Sequence, residues 1–84
     1  MKVSTLAKNQ TIIYTNEATF FNSYGTTIAK TCFEDGVRKV YLDLNSYKYS
    51  NTTIKYRNEF LDEDTKTIEK KIKNGEYTLI DLNK

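Results

Sequence analysis

Apolar and polar residues alternate clearly in two places. From Gln10 to Thr15 the alternation sets Ile12 and Tyr14 on one side and Thr11, Ile13 and Thr15 on the other, the two-residue period of a strand. From Val37 to Leu44, residues Val40, Leu42 and Leu44 share a face while Lys39, Tyr41 and Asp43 point the opposite way. A strand patterned like this belongs to a sheet with one covered side. Asn16-Glu17 and Asn45-Ser46 follow these runs with polar residues suited to turns. Asp35-Gly36 is the sharpest local signal, because both residue types accept the positive φ that a two-residue type I′ hairpin demands.

Residues 18–33 carry two competing patterns. Read as extended, Phe20, Asn22 and Tyr24 fall on one face and Phe21 and Ser23 on the other, with Gly25 marking a bulge or sharp bend. Read as a helix, the segment starts from an Asn16 cap, aligns Phe21, Tyr24, Ile28 and Cys32, and stops at Gly36. Aromatic and threonine content favours the extended form and length favours the helix. A bent strand is the expectation, with helical residues 18–33 as the alternative. Met1 to Lys8 is short and mixed, and some disorder is expected there.

The second half switches to a helical period. Ser50 reads as an N-cap, its hydroxyl accepting a free backbone N–H, with Asn51 and Thr52 as rival caps. Ile54, Tyr56, Phe60 and Leu61 suit the buried face of that helix, and Lys55, Arg57 and Glu59 its wet side. Asp62-Glu63-Asp64 suits a second helix start, where carboxylates meet the positive end of the dipole. Ile68 and Ile72 give that helix an apolar stripe, and Glu69 and Lys73 are spaced to pair on its surface. Lys70, Lys71 and Lys73 lie at its negative end, and Asn74-Gly75 supplies a left-handed stop. Glu76 to Leu82 reads as a last strand, rich in β-formers. The predicted fold is α+β: one domain over residues 1–84, with a three- to four-stranded, mainly antiparallel sheet turning at Asp35-Gly36 and two helices on one face.

Composition narrows the chemistry. Eighty-four residues support one modest core, with a stability of about 4–8 kcal/mol by per-residue scaling. The chain has no histidine, proline or tryptophan and a single cysteine, Cys32. Ser–His and Cys–His dyads are therefore excluded, as are an intrachain disulfide and zinc sites of cysteine and histidine. Cys32 is expected as a small buried apolar residue. The acidic run at residues 62–64 lacks the spacing and glycine of a calcium loop. No catalytic, cofactor-binding or metal-binding residue is expected, and the protein reads as non-enzymatic. No apolar run reaches the ~20 residues that span a bilayer, and no signal peptide is evident, so a cytoplasmic protein without a membrane partner is expected.

The run Tyr47-Lys48-Tyr49 through Asn58 and the run Lys70 to Tyr77 are dense in Lys, Asn, Tyr, Ile and Thr. In size and residue usage the chain resembles small uncharacterised phage and plasmid proteins of low-GC Gram-positive bacteria. The resemblance implies a mobile-element origin and carries over no functional residue. It makes a host or defence-system protein the natural target, with an inhibitor of a CRISPR effector as one form. The expected partner surface comprises Tyr47, Lys48, Tyr49, Lys55, Arg57, Lys70, Lys71 and Lys73. The same lysines and tyrosines would also suit nucleic acid, through phosphate contacts and base stacking. A formal charge of only +2 favours a protein partner.

Overall fold

A computed structural model describes residues 2–84. They form strands β1 (Lys2–Ala7), β2 (Gln10–Tyr14), β3 (Ala18–Ser23), β4 (Thr26–Glu34) and β5 (Val37–Asp43). Helices α1 (Asn51–Leu61) and α2 (Thr65–Lys73) and strand β6 (Tyr77–Ile80) follow. The class is α+β, and the sheet has six strands in chain order, against the three or four expected. Neighbours are antiparallel except β5 and β6, which run parallel because the two helices carry the chain back across the sheet.

The two additional strands have separate physical causes. Residues 18–33 are extended and not helical, but the chain reverses fully at Tyr24-Gly25 and does not merely bend. Both turn residues have positive φ, 51° and 79°, as do Asp35 and Gly36 at 55° and 79°. Residues 2–7, expected to be loose, pair with β2 as an edge strand. Val3 and Leu6 stay exposed there, so the alternation that betrays a half-buried strand is missing. Met1 lies outside the described residues.

Cross-strand register sorts the sheet into two faces. One row runs Ser4, Ile12, Phe21, Ala29, Leu42, Leu79, and the helices lie over it. Phe60 of α1 stacks on Phe21 with ring centroids 5.8 Å apart. Leu61 and Ile68 complete the core with Ile28, Val40 and Tyr77. A register shift beside Phe21 accompanies the burial of two adjacent β4 residues, Ile28 and Ala29. Leu44, expected on the apolar face with Val40 and Leu42, lies beyond the end of β5 and is exposed.

Both helix starts match the sequence. The Ser50 side chain accepts the Thr53 N–H at 3.1 Å, and Asp64 accepts the Thr67 N–H at 2.7 Å. Asp62 plays a different part from the one expected, closing α1 in the left-handed conformation. The largest correction is Arg57, which is fully buried and not wet. The buried stripe of α1 is Thr53, Arg57 and Leu61, while Ile54 sits on the shoulder. Arg57 Nη1 donates to the Tyr47 carbonyl at 2.9 Å, and Nη2 and Nε donate to Asn58 Oδ1 at 2.8 and 3.2 Å. Burial lowers its pKa, while the charges of Glu69 and Tyr47 oppose the shift. The guanidinium thereby ties the loop after β5 to α1. Among the described residues the ion pair is Lys71 with Glu63, not Glu69 with Lys73.

Candidate functional site

The residues singled out from sequence do not form one surface. Tyr47 and Arg57 lie inside the fold, Arg57 under the Tyr47 ring. Lys71 is tied to Glu63, whose other oxygen accepts the Tyr77 hydroxyl. Burial alone would raise the Glu63 pKa, but hydrogen bonds from Lys71 and Tyr77 hold it below the usual carboxylate range. Lys48, Tyr49, Lys55, Lys70 and Lys73 remain exposed, but they do not share one surface: Lys55 borders the acidic turn of Asp62, Glu63 and Asp64. Tyr49 borders a cleft with Ser23, Thr26 and Asn45, where β5 ends. Lys71 and Gly75, at the end of α2, border another with Val37 and Lys39, where β5 begins. A phosphate backbone tracking both groups would have to run the length of β5, roughly 20 Å.

The helices leave the second face of the sheet open, and its central row has a composition that sequence alone did not assemble. Cross-strand pairs place Val3, Ile13, Phe20, Lys30, Tyr41 and Thr78 side by side, one from each strand. Spacing between neighbouring strands puts Phe20 and Tyr41 roughly 10 Å apart, with Lys30 between them. The Lys30 ammonium lies 5.6 Å from the Tyr41 ring centroid and 6.0 Å from that of Phe20. A cation at those distances is attracted to both rings, which also holds its stem down on the sheet. The Tyr41 hydroxyl is fixed in turn, donating to Glu34 at 2.8 and 3.0 Å. That hydrogen bond raises the phenol pKa. Val3 is 54% exposed, while Ile13, Phe20 and Tyr41 are half-buried.

One end of this face is closed by the C-terminal segment. Asp43 accepts the Leu82 N–H at 2.9 Å and the Ser46 hydroxyl. Burial would raise its pKa, yet those bonds and the Asn83 amide hold it down. The Asn83 amide also accepts the Thr27 N–H at 2.8 Å and donates to its carbonyl at 2.9 Å, taking the place of a strand partner. The remainder of the row has no such cover among the described residues.

Cys32 flanks the row and is half-exposed, against the expected burial. Desolvation and the Glu34 carboxylate push its thiol pKa up, so it remains a thiol near neutral pH. Among the described residues no group of three acidic or sulfur ligands is placed to hold a metal ion. No helix among them is long and apolar enough to cross a membrane. The residues of the open row were visible as the off-face members of their strands, Ile13 opposite Ile12 and Tyr41 opposite Val40. What linked them was register, which single-strand patterns do not contain.

No curated protein and no solved structure matches the chain. A family model described as a family of unknown function (DUF8033) matches residues 1–76, and the chain belongs to that family.

Proposed function

We propose that the protein is a non-enzymatic binding module that docks a protein partner on the open face of its sheet. The observation that carries this is the uncovered row of Val3, Ile13, Phe20, Lys30, Tyr41 and Thr78. Aliphatic and aromatic side chains arranged around one held cation have the composition of an interface centre, where aromatic anchors dominate the binding energy. The separation of the exposed lysines weakens the nucleic-acid alternative, because duplex and single strands are both tracked by continuous positive surface. A mobile-element origin, suggested by residue usage, makes a host or defence-system protein such as a CRISPR effector the partner class to test first. The setting for that contact is the cytoplasm.

The test compares capture by the wild type with capture by Val3→Glu/Thr78→Glu, which charges two exposed positions of the row without touching the core. A protein partner retained after nuclease treatment and lost with the double variant supports the proposal. Retention by the variant, or loss of all captured material to nuclease, refutes it.

A further inference from the structure

At the opposite side of the molecule, where β3 turns into β4 and the loop after β5 enters α1, there is a cleft of about 390 Å³. That volume lies within the range of small-molecule sites, roughly 300–1,000 Å³. Its polar lining consists of the hydroxyls of Ser23, Thr26, Ser46 and Thr53 and the Asn45 amide, with no lysine, arginine, aspartate or glutamate side chain among its walls. Ser23 and Thr53 are buried, and their hydroxyl oxygens lie 3.1 Å apart. The Thr53 hydroxyl also accepts from Ser50 Oγ at 3.1 Å, so within the pair it is the Ser23 hydroxyl that keeps capacity for a further partner.

Two tyrosines flank this polar cleft without contributing to the core: Tyr24 is 60% exposed and Tyr49 is 77% exposed. Tyr24 occupies the first position of its turn at φ 51°, in the left-handed region that bulky side chains avoid. The next hairpin meets the same demand with Asp35, a residue type that tolerates that region. The fold thus places an aromatic ring beside the cleft where a small polar residue would fit the backbone better. Strain of this kind collects at binding sites.

We propose that this cleft binds a neutral polyhydroxylated ring, with Tyr24 and Tyr49 covering its apolar face and the Ser/Thr/Asn lining meeting its hydroxyl groups. A saccharide or the ribose of a nucleoside would present this chemistry. Neither requires a charged side chain, and both carry hydroxyls that can donate to and accept from such a lining. This site is separate from the open sheet face, on the helix side of the strands, and stands without it.

The experiment is an NMR titration of the full chain with separate panels of hexoses and disaccharides, ribonucleosides, and 2′-deoxyribonucleosides. The expected result is saturable shifts of the Ser23, Thr26 and Thr53 amides with one hydroxylated panel. A saccharide response identifies a sugar site; a ribonucleoside response that weakens in the deoxy series identifies a ribose site. Tyr24→Asn should weaken binding about tenfold or more, a change of roughly 1.4 kcal/mol. The same variant should raise Tm by about 4 °C by relieving the turn. Because it should be more stable than the wild type, lost binding cannot be attributed to unfolding. Absence of saturable shifts with every panel, or wild-type affinity in Tyr24→Asn, overturns the proposal.

Discussion

Helices α1 and α2 are neighbours of similar length, and each is capped by a side chain that its sequence advertises. They differ in what holds them to the sheet. Helix α2 keeps to the simple rule: Ile68 is completely buried, Ile72 packs at the margin, and Lys70, Lys71 and Lys73 lie in the last turn, where they meet the negative end of the dipole. Helix α1 buries Thr53 and Arg57 in line with Leu61 and leaves Ile54 only half-covered. A stripe of apolar residues predicts a buried face only where the opposing surface is apolar. The α1 stripe meets the Ser23 hydroxyl at one end and the Tyr47 carbonyl in the middle, so polar side chains with matching donors displace the apolar ones.

Arg57→Ala should have the largest effect on the fold. It removes a buried side chain and strands the Tyr47 carbonyl, so a loss of about 3 kcal/mol or more is expected in chemical denaturation. That would be a large share of the total stability. An Arg57→Ala protein as stable as the wild type would return Arg57 to the surface. Ile68→Ala comes next, with an expected loss of about 2–4 kcal/mol. Ser50→Ala should cost about 1 kcal/mol through the lost cap. Ile54→Ala should cost less than about 1 kcal/mol, because its side chain is only partly covered. Equal losses for Ile54→Ala and Ile68→Ala would show that α1 packs on its isoleucine after all.

The last difference is in pH dependence and needs no mutation. Helix α2 depends on two carboxylates: Asp64 as its cap and Glu63 as the bridge to Lys71 and Tyr77. Hydrogen bonds from Thr67 lower the Asp64 pKa, and Glu63 is lowered as well despite its burial. A lowered folded-state pKa contributes stability that is fully present above the unfolded value, about 4, and is lost as pH falls through the folded value. Helix α1 is held by Ser50 and Arg57, neither of which titrates in that range. Amide exchange in acid should therefore rise at Thr67 before it rises at Thr53. Simultaneous loosening of both would make the two helices one cooperative unit.

Local signals were legible wherever one residue met its own backbone demand. Asp35-Gly36 supplies the positive φ of a tight turn, Ser50 and Asp64 cap helices, and Gly75 follows α2 in the left-handed region at φ 89°. These depend on interactions within a few residues of sequence, so the chain carries them wherever it goes. Tyr24-Gly25 escaped the same logic because tyrosine does not advertise a turn. Strand β1 escaped because both its faces are largely wet, leaving no alternation to read.

Local pattern and composition carry the α+β class, the two helix starts, the tight turn at Asp35-Gly36 and the lack of a histidine-based catalytic dyad. The inner side of α1 was settled by tertiary packing. Burial is a property of the surface an element meets, and that surface is built from residues far away in the chain. Arg57 is inside because the Tyr47 carbonyl and the Asn58 amide are there to receive it. Phe20, Lys30 and Tyr41 become one surface because hairpin register places them side by side across three strands. A one-residue slip in either hairpin would send them to opposite faces, and no pattern within a single strand fixes that choice.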